Sequence, residues 1–218
     1  MAYTTIDDPS AHFQTVLWTG NAADGSGGQT QAITFDGNSD MQPDWVWVKQ
    51  RSHAAKHHIV DSSRGVSQRI VSNNSDGEDD QGSNNSVYQF NSDGFNVGTF
   101  GRGVNDVSKT YVAWCWKANG ATTTTNDASA TSVGTIDSVY QANTTAGFSI
   151  VTWTGTGSNG SIAHGLGVVP DLIISKSRGH AENWAVYHKN SNSTPEDYYL
   201  ALDDTRAATD SAVVWNDT

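Results

Sequence analysis

The chain offers four groups of residues with chemical potential. His53, His57 and His58 crowd into the run Arg51-Ser52-His53-Ala54-Ala55-Lys56-His57-His58, and imidazoles at short spacing can hold Zn²⁺ or Ni²⁺. Lys56 adds positive charge among them and no thiolate stands near, so no metal and no cofactor is expected there. Asp76-Gly77-Glu78-Asp79-Asp80 offers hard oxygen ligands at a turn, without the loop spacing and terminal bidentate Glu of a Ca²⁺-binding hand; it reads as a solvated acidic loop. Asp61, Asp203 and Asp204 raise the question of a carboxylate pair for glycoside cleavage, a chemistry defined by a separation in space that sequence does not carry. Asp61-Ser62-Ser63-Arg64-Gly65 reads more simply as a turn in which Asp and Ser bond the backbone and Arg64 pairs locally. Cys115, between two Trp, reads as an inert buried thiol. Neither a Gly-x-Ser-x-Gly elbow nor a phosphate-binding loop occurs, so no catalytic residue is assigned and a non-enzymatic protein is expected.

The fourth group is aromatic. Trp45 and Trp47 share one face of an extended run while Val46 and Val48 take the other, so one of these faces packs the core and the other meets a subunit, a domain or solvent. Exposed, the Trp pair is a sugar-stacking platform or an interface anchor; buried, it is core. Trp45, Trp47, Trp153 and Trp184 are the candidate binding residues.

The elements that must position these groups are strands. Alternating β-branched and aromatic residues, punctuated by Gly, Asn, Asp and Ser, predict strands at Phe13 to Thr19, Gln31 to Phe35, Asp44 to Gln50, His58 to Asp61, Gln68 to Ser72, Val87 to Asn91, Gly94 to Val97 and Thr110 to Lys117. In the last, Val112, Trp114 and Trp116 fall on one face and Tyr111, Ala113 and Cys115 on the other, the pattern of a central strand covered on both sides. Asn91-Ser92-Asp93-Gly94 predicts a tight hairpin turn. Helical periodicity is almost absent.

Composition narrows the function classes. The 218 residues have a mean hydropathy of −0.51 and no apolar run long enough to span a membrane as a helix, so no membrane insertion is expected. Twelve Lys and Arg against 23 Asp and Glu leave a formal charge of −11, which repels a polyanion and argues against nucleic acid as a partner. A single Cys forms no internal disulfide, and Met1 to Pro9 lacks a signal-peptide pattern, so folding in a cytosol is expected. Eight Trp and 21 Gly complete the profile of an all-β protein with short strands.

An internal repeat organises the chain. Phe13-Gln14-Thr15-Val16-Leu17-Trp18-Thr19-Gly20 answers to Phe148-Ser149-Ile150-Val151-Thr152-Trp153-Thr154-Gly155, and Pro43-Asp44-Trp45-Val46-Trp47-Val48-Lys49 answers to Pro170-Asp171-Leu172-Ile173-Ile174-Ser175-Lys176. The expected organisation is an extended N-terminal arm over 1–12, a first β-sandwich repeat over 13–118, a linker of small polar residues over 119–131, and a second repeat over 132–218. No counterpart of Tyr111-Val112-Ala113-Trp114-Cys115-Trp116-Lys117 is found in the second block, so that repeat is expected to be incomplete, either as a fragment or with a sheet edge for a neighbouring subunit to cover.

Several stretches together resemble the repeated domain of virion structural proteins from marine tailed phages, notably cyanophages. They are the Met1 to Pro9 opening with Phe13-Gln14-Thr15, Met41-Gln42-Pro43-Asp44-Trp45-Val46-Trp47-Val48-Lys49, Asp61-Ser62-Ser63-Arg64-Gly65, Ser92-Asp93-Gly94-Phe95 and Tyr111 to Ala118. In the second block the likeness runs through Thr144 to Val151, Gly165 to Pro170 and Asn183 to His188. The resemblance implies two tandem antiparallel β-sandwiches of lectin-like or jelly-roll-like type in a tail-fibre-like or other structural component of the particle. Such a protein, made in the host bacterial cytoplasm and localised to the virion, would have as partners other virion proteins of the tail, neck or capsid, further copies of itself as a homo-oligomer, and a host surface glycan. Tyr3, Ile6 and Pro9 are the candidate anchoring residues. A capsid decoration or head-fibre protein, and a glycan-binding module or polysaccharide depolymerase, are the alternatives.

Overall fold

The computed structural model describes residues 6–22, 29–99, 103–211 and 214–215. Its strands, in chain order, are β1 (Phe13–Thr19), β2 (Gln29–Ile33), β3 (Trp45–Gln50), β4 (His58–Asp61), β5 (Gln68–Val71), β6 (Asp79–Asp80), β7 (Ser86–Asn91), β8 (Gly94–Thr99), β9 (Thr110–Trp116), β10 (Thr124–Asn126), β11 (Ser138–Asn143), β12 (Phe148–Trp153), β13 (Leu172–Ser175), β14 (Ala185–His188), β15 (Tyr198–Ala201) and β16 (Thr209–Asp210). One four-residue helix, α1 (Ala128–Thr131), and two single 3₁₀ turns complete the described elements. The protein is all-β, as expected, with antiparallel pairings such as β1 with β9, β3 with β4, β7 with β8, β11 with β12 and β13 with β14.

Chain contacts divide the molecule into two compact units, one of residues 1–69 and 80–167 and one of residues 70–79 and 168–218. In the first, β1, β9, β3 and β4 lie side by side in that order in a large sheet that faces a smaller sheet of order β2-β8-β7. Their inner faces share one core: Val46, Val48, Val60, Tyr111, Ala113 and Cys115 come from the large sheet, and Ile33, Val87, Phe95 and Val97 from the small one. Trp18 of β1 joins the two layers, stacked on Tyr111 at 5.2 Å and edge-on to Phe95 at 5.9 Å. Strand alternation produces this directly, since every second residue of β3 and β9 points inward and, apart from the buried Gln50 at the end of β3, those residues are Val, Ala, Cys and Tyr. The expected central position of β9 is borne out, with β1 on one side and β3 on the other; the expected cover on both faces is not, because Trp114 and Trp116 are half-buried and line an open outer face.

The β7–β8 hairpin turns at Asn91 opposite Gly94. Gly94 has φ of +113°, and a Cβ there would lie 2.0 Å from the Ile33 carbonyl oxygen. Only glycine gives both the turn and the close approach of β2.

Two expectations about segment boundaries differ from the structure. Residues 119–131, expected to be a linker, contain β10 and α1, and β10 pairs with β11 in a sheet of order β10-β11-β12. The start of this segment is bound by Asp44, a fully buried carboxylate that accepts from the amides of Ala118, Gly120 and Ala121, each at 2.8 Å. Small polar residues bury little themselves, but their backbone amides make a nest for a carboxylate. The N-terminal arm, expected to be extended through residue 12, is folded from Asp8 onward. A 3₁₀ turn over Pro9–Ala11 is capped by Asp8, whose second oxygen accepts from Ser39 Oγ at 2.6 Å.

In the other unit, β13-β14-β15-β16 form one sheet. The sequence repeat has a structural counterpart here. Trp45 pairs with Asp61 in the β3–β4 hairpin and Leu172 with His188 in the β13–β14 hairpin. The amide of Ser62 donates to Asp44 at 2.8 Å as that of Lys189 donates to Asp171 at 3.0 Å. Gln81 likewise closes on Ser67 as Ser211 closes on Asp197. The repeat is therefore a repeat of hydrogen-bonding register, and it does not coincide with the division into compact units: β12 lies in the first and β13 in the second.

Candidate functional site

The outer face of the large sheet is aromatic. The residues of β3 and β9 that alternate with the core set are Trp45, Trp47 and Lys49, and Val112, Trp114 and Trp116. Register places Trp45 opposite Trp116, Trp47 opposite Trp114 and Lys49 opposite Val112, while β1 adds Phe13 opposite Trp116 and Leu17 opposite Val112. Trp47 meets Trp114 edge to face at 6.0 Å. At the other end Trp116 packs against Phe13 at 4.8 Å and stacks on Phe148 of β12 at 6.0 Å, and Trp45 meets Phe148 edge-on at 6.4 Å. Aromatic pairs in these offset and edge geometries gain stability beyond the area they bury.

The ladder leaves an open groove of about 460 Å³ along the sheet surface, lined by Trp47, Lys49, His57, Trp114 and Trp116. Burial, and then the nearby Lys49 ammonium, push the His57 imidazole below its ordinary range, so it favours the neutral form and Lys49 carries the positive charge on this wall. Lys49 Nζ donates to the Gln50 carbonyl oxygen. Chemically the groove combines flat apolar ring faces with a cationic donor and an imidazole.

The predicted site residues separate in the structure. Trp45 and Trp47 lie together on this outer face, both half-buried, so the Val face is the core. Trp153, at the end of β12, is 43% exposed and does not line the groove. Trp184 is a correction: it is 2% exposed, and its Nε1 donates to the Val71 carbonyl oxygen at 2.9 Å, which makes it a core residue of its unit rather than a binding residue. Of the anchoring candidates, Ile6 is half-buried and Pro9 is exposed at the start of the 3₁₀ turn. Tyr3 lies outside the described residues. Missing from the sequence-based set were Trp114, Trp116, Lys49 and His57. Alternation in Tyr111 to Trp116 separates the two Trp from Tyr111, Ala113 and Cys115, but only the pairing of β9 with β3 puts them beside Trp47.

Other chemically suggestive residues have structural tasks. His57 and His58 diverge, the first lining the groove and the second buried with Nδ1 3.0 Å from Ser86 Oγ and Nε2 3.2 Å from an Arg69 nitrogen. Arginine only donates, so Nε2 is the acceptor and Nδ1 carries the hydrogen that it donates to Ser86. That polarity is the reverse of a serine activated by a histidine base, and Ser86 is fully buried. Asp61 forms the predicted turn, accepting from the amides of Ser63 and Arg64 and from Arg64 Nε at 2.6 Å. Asp203 accepts from the Trp184 amide, and Asp204 pairs with Arg206. Glu78 pairs with Arg178 at 2.7 Å. Cys115 is buried, and burial raises its thiol well above the ordinary range. Among the described residues no three His, Cys, Asp or Glu side chains are grouped so as to hold a metal ion.

No curated protein and no solved structure matches the chain. A family model described as a domain of unknown function, DUF7483, matches residues 8–218. The match spans the sandwich with its aromatic face and the unit built on β13 to β16, and the chain belongs to this DUF7483 family.

Proposed function

We propose that this chain is a non-enzymatic structural protein of a tailed-phage virion, a tail-fibre or appendage component attached by its N-terminal region and contributing to host adsorption. The observation that carries the reading is the groove of Trp47, Trp114 and Trp116 on the outer face of the large sheet. A sheet face that presents several half-buried rings has the composition of a contact surface. Many copies on one particle would turn weak contacts into firm attachment through effective concentration. The resemblance of the motifs to virion structural proteins supports the particle as the setting, and the net charge of −11 keeps a protein displayed in many copies soluble.

The test is localisation of the chain on intact particles by gold-labelled antibody or direct cryo-EM, with copies counted per virion. A small number at the tail is the expected result. Hundreds of copies over the head would replace the appendage role with capsid decoration, and absence from particles would overturn the virion reading.

A further inference from the structure

We infer that the Trp47–Trp114–Trp116 groove binds an anionic pyranose, a uronate or similarly charged sugar unit, with Lys49 as the group that reads the negative charge. The inference deepens the adsorption reading and rests on it for the source of the sugar, a host surface polysaccharide. Three observations lead to it. The groove is open along a sheet face, so it suits one or two units of a passing polymer better than an acyl chain, which needs enclosure. Its walls are indole faces held at fixed angles by their neighbours, Trp47 against Trp114 and Trp116 against Phe148, so little ordering remains to be done when the C–H face of a sugar ring stacks on them.

The third observation is local charge. In a chain of net charge −11, the stretch Trp45 to Val60 carries Lys49, Arg51 and Lys56 and not one Asp or Glu. Arg51 and Lys56 are exposed, and Lys49 lines the groove itself. A cationic margin beside an aromatic groove is complementary to a ligand that has an apolar ring face and an anionic substituent. The overall negative charge opposes any long, densely charged polyanion, nucleic acid included, so the ligand is one or two charged units placed beside Lys49 rather than a continuous run of charge. His57, favouring the neutral form, adds a hydrogen-bonding ring rather than a second charge.

The test uses the full chain with digalacturonate and its methyl ester, which share a backbone and differ in charge, and reads binding by tryptophan fluorescence and calorimetry. The acid form is expected to bind about tenfold more tightly than the ester, a ratio of the size one charge-assisted contact supplies. In Lys49→Gln that ratio is expected to collapse towards one while ester binding persists. Trp114→Ala, with folding checked by near-ultraviolet circular dichroism, is expected to weaken both. Equal binding of acid and ester, a ratio that survives Lys49→Gln, no binding of either by the wild-type chain, or tighter binding of a thymidine octanucleotide would overturn the inference. Localisation is independent of these outcomes: a chain found on tails whose groove ignores sugars sinks the ligand and leaves the appendage role. A chain absent from particles that still prefers the acid form does the reverse.

Discussion

Asp44→Ala removes the acceptor that binds the segment after β9. The Asp44 side chain is fully buried and accepts four hydrogen bonds, from the amides of Ala118, Gly120 and Ala121 at 2.8 Å and from Ser62 Oγ at 2.6 Å. The donors left behind are not equivalent. Ala118 is a buried residue, so its amide loses its partner without gaining water, which costs about 1–3 kcal/mol. Gly120 and Ala121 are exposed, and their amides recover water at about a third of that cost each, so the expected sum is about 3 kcal/mol. Asp44→Asn keeps one carbonyl oxygen and turns an NH₂ towards donors on the other side, so roughly half that loss is expected. Urea unfolding followed by tryptophan fluorescence reads both, with the midpoint moving and the slope unchanged. A loss below about 0.5 kcal/mol for Asp44→Ala would refute the assignment of 118–121 as a nest held by this carboxylate. Amide exchange adds a site-specific check, with Ala118 losing protection first.

Four further outcomes follow from the geometry. Gly94→Ala drives a Cβ into the Ile33 carbonyl at 2.0 Å in a positive-φ position, and a loss of about 3 kcal/mol or failure to fold is expected by thermal unfolding. Trp184→Phe empties space in a core and leaves the Val71 carbonyl without its donor, at an expected cost of about 2 kcal/mol; an unchanged melting temperature would contradict its buried placement. Cys115 is expected to resist a thiol reagent in the native protein and react in urea, because burial removes access and holds the thiol protonated. His57 has a depressed folded-state pKa, so the unfolded chain takes up the proton first as pH falls through the ordinary imidazole range. Its contribution to stability is therefore present above that range and lost below it, and His57→Asn is expected to flatten the slope of stability against pH between about 7 and 5 relative to wild type.

Local pattern was enough for most strands of the first unit. Phe13–Thr19 and His58–Asp61 were predicted to the residue and most of the others to within two, because alternation and turn chemistry are properties of a few neighbouring residues. The division of β9 into two faces was equally legible, as was the turn at Asp61 that Arg64 closes. Alternation split Trp45 and Trp47 from Val46 and Val48, but it did not say which face was core. That choice depended on the small sheet, whose Phe95 and Val97 fill one side and leave the other open. Long-range contacts also decided the rest. Residues 119–131 read as linker by composition, yet Asp44, distant in sequence, supplies the acceptor that their amides need. Trp184 reads like any other Trp until its indole is placed against the Val71 carbonyl. The groove exists only because β9, far along the chain, pairs with β3 in a register that sets Trp114 beside Trp47. Sequence by itself determined which residues share a strand face, a matter of period two; which faces meet, and therefore where the site lies, was decided by strand pairing between segments that no local pattern connects.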